Sequence, residues 1–431
     1  MIAENDCCLP PPRTSRTFAG ILGAAGWAAV LGVVSGLACV LVRLLMRGLQ
    51  WLFTQHAGSL PAAAAALPFG RRLVTPILGA LLATAIAWFV KRRLRLAPFH
   101  EYVEAVRFGD GEIPFPSTFW RTLSSAFSVA TGAAIGREGS MIQFAAAAAS
   151  WVGKRSGVRR ASLGRQVSYG AAAAIAAAYS APIAGMFFAF EVVLGEWSWE
   201  DAAPLAVSSV SGWLVSRALL GGGPIFAVHS HFTLDRQVGW GVLLAIALGC
   251  LAPLYHRFFR GLCFLCHRPF AMAWAGLVVG LLSLMTPLVW GNGDMALVQV
   301  LSGSGLVGAS ITLLLARTIA TGVCVGAGTA GGVFTPTLFT GAALGLIAGQ
   351  MFGVTQPSLF AVIGLAAFLA AVTHAPFMAT MMAVELTDQW HLLPLLLLYN
   401  LLACEIARRL SSRSLYAIAT PDPLEPEGVA A

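Results

Sequence analysis

The sequence predicts an all-α polytopic membrane protein assembled from two related halves. Three observations predict it. The 431 residues are 58% hydrophobic and 11% charged, with a mean hydropathy of +0.77. A soluble domain carries about 25% charged residues. A run without Asp, Glu, Lys or Arg extends from Thr318 to Val384, 67 residues, against roughly 20 for one helical crossing. Finally, Gly170–Glu191 matches Gly364–Glu385 at nine of 22 positions. Six of those matches are alanine, so the weight rests on Ala181-Pro182 with Ala375-Pro376 and on Glu191 with Glu385.

Taken in order, residues 1–18 read as a polar, Pro-rich tail without a convincing cleavable signal. A first membrane repeat is expected over 19–220. It opens on a long helix, Ala19–Leu49. An alanine-containing loop follows to Phe69, then a span over Leu73–Val90. Ala97–Pro116 is too polar and Pro-interrupted to cross. Phe119–Ile135 is the third long helix, and Ser162–Tyr179 is another, broken from Ile183–Leu194 by Ala181-Pro182. Ala202–Leu220 spans. Residues 221–237, with Gly221-Gly222-Gly223-Pro224, His229, His231 and Asp235, read as the main linker. A second repeat is expected over 238–418, with spans at Val238–Leu254 and Ala271–Trp290, a turn at Gly291-Asn292-Gly293-Asp294 and a helix from Ile311. Gly326–Gly332, Pro336, Gly353, Pro357 and Pro376 cut the charge-free run into pieces, some too short to cross. Half-helices meeting inside the membrane are tolerated only where they line a protein-buried cavity. Pro394–Ala407 is the last apolar stretch, and 419–431 is a short tail with no CBS domains.

The net charge of +8 is not a nucleic-acid signal, because the basic residues sit between apolar runs: Arg71/Arg72, Lys91–Arg95 and Lys154–Arg160. Such loops usually face the cytoplasm, as both termini then would. The eight cysteines form no disulfide or zinc pattern. Cys263-Phe264-Leu265-Cys266-His267 fits the c-type haem attachment signature, but it lies beside a membrane segment among Arg257, Arg260 and Arg268, and reads as a helix end. No cofactor or metal is expected. An embedded enzyme would need clustered His, Asp or Glu within the spans, and His374 is alone in the long run.

The chemistry concentrates at Gly136-Arg137-Glu138-Gly139-Ser140. Two charges there separate two mostly apolar stretches, and an ionisable group at mid-membrane depth costs several kcal/mol, so it faces water or a partner. Glycines permit close backbone approach. Amides at the start of the next helix carry partial positive charge and can hold an anion without a fixed cation. A carboxylate in that place competes with the anion, which makes Glu138 a candidate gate. The repeat sets Gly332-Val333-Phe334-Thr335-Pro336 at the corresponding place, within two residues. Two Gly-started broken helices in matching halves point to a mid-membrane binding site.

These motifs resemble the CLC family of chloride channels and proton-coupled chloride antiporters, most of all its bacterial ClcB-type branch. Gly136–Ser140 is similar to the family's GREGP, with Ser140 for proline. Gly332–Pro336 fits GxFxP, and Leu415-Tyr416 resembles the tyrosine at the last helix. The resemblance implies a homodimer in a bacterial inner membrane, one pore per subunit, each subunit built as two inverted-topology repeats. It implies chloride as the transported ion, Glu138 as gate, and an anion site formed around Gly136, Arg137, Gly139, Gly332, Val333, Phe334, Thr335, Pro336 and Tyr416. Two departures stand out. The motif GSGIP is replaced by Leu96-Ala97-Pro98-Phe99-His100, without its serine. Val192 stands where antiporters carry a proton-transfer glutamate, after Glu191, whose expected role is to brace each half. Passive, channel-like conduction is the resulting expectation; the alternative is an H+/Cl− antiporter using a different internal acid.

Overall fold

Helix ends fall where glycine and proline place them. A computed structural model of the chain describes residues 18–221, 226, 236–303, 305–414 and 416, and seventeen α-helices lie among them. The first half holds α1 (Phe18–Thr54), α2 (Leu60–Ala66), α3 (Phe69–Phe89), α4 (Tyr102–Arg107), α5 (Phe115–Ala130), α6 (Glu138–Arg155), α7 (Leu163–Tyr179), α8 (Pro182–Phe188) and α9 (Trp199–Leu220). The second holds α10 (Arg236–Leu262), α11 (Ala271–Met285), α12 (Asp294–Leu301), α13 (Val307–Gly326), α14 (Phe334–Met351), α15 (Pro357–Thr373), α16 (Pro376–Thr387) and α17 (Leu393–Leu410). Six helical segments are long and apolar enough to cross a bilayer: Gly20–Thr54, Phe69–Leu94, Trp199–Leu220, Val238–His267, Val307–Gly326 and Trp390–Leu410.

Several expected boundaries move. The helix expected over Phe119–Ile135 stops at Ala130, because Gly132 takes a φ of +111° and the chain turns away from the helix axis. The span expected over Ala271–Trp290 is a 15-residue helix ending before Thr286-Pro287, since the residue ahead of a proline is disfavoured in helical conformation. The loop before Phe69 contains α2, capped by the Ser59 side chain. Phe18, Arg236 and Gln237 are helical rather than tail or linker. Most of the linker, including His229, His231 and Asp235, lies outside the described residues, as do the terminal tails, Cys7, Cys8 and Leu415.

α6, α7, α14 and α15 form the interior, and the long spans surround them. The interior is rich in alanine, and contact is close: a Cβ on Gly345 would sit 2.0 Å from the Phe360 carbonyl oxygen of α15. In lipid this packing, rather than a hydrophobic drive between helices, holds them together.

The repeat is exact where it matters for the site. α6 and α14 have 18 residues each, and α7 and α15 have 17. α7 ends at Ser180 and α15 at His374, both in left-handed conformation, φ +54° and +59°. Ala181 and Ala375 follow, both at φ −127°. Pro182 and Pro376 then open α8 and α16, their fixed φ suiting a first helical position.

Each half caps the other. The Glu385 carboxylate accepts hydrogen bonds from the Ile183 and Ala184 amides at 2.9 and 2.7 Å. Glu191 accepts from the Phe377 and Met378 amides at 3.3 and 2.7 Å. Exchange of equivalent contacts between equivalent elements requires a two-fold relation between the halves. The bracing role expected for Glu191 is what the geometry displays.

Hydrogen bonds to a charged group are each worth about 1.5–3 kcal/mol, and a buried amide left unpaired costs about 1–3 kcal/mol. Glu191→Ala and Glu385→Ala should therefore each destabilise the protein by about 2–4 kcal/mol. A lowered melting temperature in detergent, similar for both, checks this; exposed Glu405→Ala is the control and should leave it unchanged.

Candidate functional site

The site is built where the segments ahead of α6 and α14 cross. The Gly136 amide donates to the Gly332 carbonyl at 2.6 Å, and the Gly332 amide donates to the Gly136 carbonyl at 2.7 Å, an antiparallel pair. A Cβ on Gly136 would meet the Gly332 oxygen at 2.7 Å, and one on Gly139 the Gly332 nitrogen at 2.6 Å. The crossing is thus open only to glycine. It sets the starts of α6 and α14 side by side. Among the described residues no side chain bonds the first-turn amides of either helix, so these amides, with no intrahelical acceptor, remain available.

Below the crossing lies a cavity of about 330 Å³. Its wall brings together Gly139, Ser140, Gly332, Val333, Phe334 and Tyr416. Gly136, Arg137, Thr335 and Pro336 are outside that wall. Thr335 shares a 2.9 Å hydroxyl–hydroxyl hydrogen bond with Tyr179, whose ring packs against Phe334. Tyr416 packs edge-on against Phe188. The segment replacing GSGIP is pinned by Gln143, which donates to the His100 carbonyl at 2.9 Å and accepts from the Tyr102 amide at 3.0 Å. It contributes Phe99 to the cavity, with the Arg121 guanidinium 4.1 Å from the ring centroid.

Ser140 supplies a hydroxyl that was not anticipated from the sequence. It is buried and bonded to the Ser125 hydroxyl at 2.6 Å. Ser140 is the donor of this bond, so its hydroxyl proton is held by Ser125 even though Ser140 lines the cavity and Ser125 does not.

Glu138 is 3% exposed, so it is not in bulk water. Its Oε1 accepts a 2.7 Å hydrogen bond from Asn292 Nδ2 and lies 3.7 Å from Arg137 Nε. Oε2 has no partner among the described residues and lies against Gly136. Arg137 also reaches Asp294, at 3.5 Å. Asn292, Tyr179 and Ser140 were not singled out as site residues. The available signal was weak: an Asn between two glycines, and a hydroxyl where proline was expected.

Val192 is buried, and its carbonyl accepts from Arg107 at 2.7 Å. The acids beyond it offer no open relay at Asp201, which is buried and bonded to Tyr169 and Arg165. The Cys263–His267 stretch forms a short 3-10 turn at the end of α10.

Comparison with known proteins places this architecture. The family model described as voltage gated chloride channel matches residues 79–408. The voltage-gated ClC-type chloride channel ClcB of Citrobacter koseri is 36% identical over 407 residues, covering 90% of this chain and 97% of that protein. The putative chloride channel protein ClcB-like of Ralstonia nicotianae is also 36% identical, over 93% of this chain and 95% of its own. Among solved structures, a slow cyanobacterial Cl−/H+ antiporter superposes with a TM-score of 0.80 at 20% identity, over 92% of this chain and 96% of that one. A CLC-type fluoride/proton antiporter gives 0.74 at 19%, over 94% and 99%. At those identities the structures establish the fold alone.

The crossing makes its own prediction. Gly139→Ala places a methyl group inside contact distance of backbone that cannot give way, and overpacking of this kind costs about 1–3 kcal/mol. Its melting temperature in detergent should fall, whereas Gly157→Ala, in open space at a helix end, should lose only what its left-handed φ demands.

Proposed function

The chain belongs to the voltage gated chloride channel family, the CLC family, and we propose that it conducts chloride passively through a pore that Glu138 closes. The observation that carries this reading is the pair of uncapped helix starts facing one cavity, with a carboxylate next to them. Backbone amides of the first turns of α6 and α14, with the hydroxyl of Tyr416, replace water around a weakly hydrated anion. Binding of that kind is strong enough for entry and weak enough for release. The cavity wall also holds Arg121, but Glu101 lies in the same wall and the two charges are electrostatically coupled, so the cation is not free to trap chloride.

Glu138 acts as a movable plug: its charged carboxylate occupies the anion's path, and protonation or displacement by an anion removes it. Gly136 and Gly332 hold the geometry, Arg137 lies beside the plug, and Thr335 and Pro336 shape the start of α14. The site's wall is complete within one chain, which fits one pore per subunit; likeness to bacterial ClcB proteins supports a homodimer in a bacterial inner membrane, and the basic loops support their lying on the cytoplasmic side.

Passive conduction rather than antiport rests on Val192. A buried aliphatic side chain cannot carry a proton. One observation favours the second reading, antiport through another acid: Glu101 lines the cavity, outside the spanning segments, and burial raises its carboxyl above the ordinary range while Arg121 draws it back down.

Three outcomes test the proposal in liposomes recording chloride and protons together. Chloride flux should rise as pH falls, since the neutral acid no longer competes, and Glu138→Gln should abolish the pH dependence while retaining flux. A chloride gradient should not drive protons uphill at a fixed ratio; if it does, the passive reading fails, and loss of coupling in Glu101→Gln would identify the acid. Tyr416→Phe should weaken chloride binding, measured calorimetrically, about three- to tenfold, the loss of one hydrogen bond worth about 0.5–1.5 kcal/mol.

A further inference from the structure

We propose that Asn292 is a latch that holds Glu138 in the closed position and sets how readily the pore opens; this rests on the reading of Glu138 as the plug. The carboxylate is buried, yet among the described residues one side-chain amide is its only close hydrogen-bond donor, at 2.7 Å. The amide's orientation follows from chemistry. Asn292 Oδ1 faces the Asp294 amide at 3.5 Å, and turned the other way it would set an oxygen against a carboxylate. The donor therefore points at Glu138.

The latch is itself fixed. Arg317, fully buried on α13, donates to the carbonyls of Leu288 and, at 3.0 Å, Gly291. Gly293, at φ +100°, passes so close to this guanidinium that a Cβ would lie 2.5 Å from Nη2. Asn292 thus sits between the anchored Gly291 carbonyl and the close approach of Gly293 to Arg317, and is 5% exposed. On the opposite side of Glu138, Oε2 has no partner among the described residues. The acid is gripped at one oxygen only, from the turn ahead of α12.

The bond discriminates between states of the plug. An amide donor favours a carboxylate over a neutral acid, because charge-assisted hydrogen bonds are about twice as strong. Protonation therefore loosens the grip, and an incoming anion that displaces the carboxylate must break it. Other charged and titratable groups facing Glu138 are Arg137 beside it, Arg43 on α1 and Tyr179 on α7, with Asp294 acting through Arg137. None of them lies within hydrogen-bond distance of its carboxylate oxygens among the described contacts.

The test is chloride flux against pH for full-length protein in liposomes. Asn292→Ala should move the pH of half-maximal flux upward by about one to two units and raise flux at neutral pH about tenfold, as loss of one charge-assisted hydrogen bond implies. Asn292→Asp, which sets a like charge against the plug, should shift it further. In a Glu138→Gln background neither change should alter flux. If Glu138→Gln flattens the profile but neither Asn292→Ala nor Asn292→Asp moves it, the latch is wrong and the plug stands. If Glu138→Gln keeps its pH dependence, the plug is wrong and the latch falls with it. Should Asn292→Ala fail to fold, Asn292→Asp decides alone: an unmoved profile overturns the proposal.

Discussion

Two hydrogen bonds between Gly136 and Gly332 are what the rest of the molecule is arranged around. They join equivalent residues of the two halves reciprocally and in antiparallel sense, so the axis relating the halves passes between them. An isolated pair of this kind is worth little on its own, about 1 kcal/mol per bond. Its effect is geometric. Two backbones that touch without side chains between them bring two helix starts to one place. A residue larger than glycine at either crossing point would part the halves and enlarge the gap into which their amides converge. The interior packing of α6 on α7 and of α14 on α15 then fixes the angle from which each helix arrives.

The same axis explains a difference in how four helix starts are treated. All four carry the partial positive charge of unpaired first-turn amides. At α8 and α16 the amides are closed by carboxylates from the opposite half, Glu385 and Glu191, each bonded through both oxygens. At α6 and α14 no side chain among the described residues caps them, and they border a cavity. A buried carboxylate held by two amides is a structural brace. Glu138 is held at one oxygen by one side-chain donor, which suits the gate proposed for it. On that reading the number of donors on each acid separates bracing from gating better than burial does, since Glu138 is the more deeply buried.

Much of this was legible in the sequence, and for identifiable reasons. Long apolar runs, basic loops and the Gly and Pro breaks are local signals, and they located the spans and the broken helices. Glu191 and Glu385 showed as a pair because they lie at the same distance after the same Ala-Pro break. The GxFxP and Gly-Arg-Glu-Gly segments, read as a pair, carried the family. What stayed hidden depends on contacts between residues far apart. Asn292 and Glu138 are 154 residues apart, and Tyr179 and Thr335 are 156 apart; no spacing rule links them. The early end of α5 was missed because Ala133, Ala134 and Ile135 continue the apolar pattern, while the turn is set by Gly132 against the Trp290 ring, where a Cβ would fall 2.5 Å from the indole.

The charges in the cavity wall bear on why weak donors suffice. A free guanidinium about 4 Å from an anion would contribute about 4 kcal/mol at the effective dielectric of a protein surface, close to a thousandfold in residence, which a conducting site cannot accept. Arg121 sits in that wall, yet its guanidinium lies over Phe99 and couples to Glu101. Glu101 in the same wall offsets part of that charge, while on the proposed reading the two helix starts, each equivalent to roughly half a charge, attract the ion. Their field is spread over several amides, so an anion moves between donors without losing all of them at once. The segment that replaces the family's GSGIP provides Phe99, and Glu101 follows directly after it. The loss of its serine hydroxyl is thereby set beside a wall whose cation is stacked on Phe99 and shares the cavity with a carboxyl group.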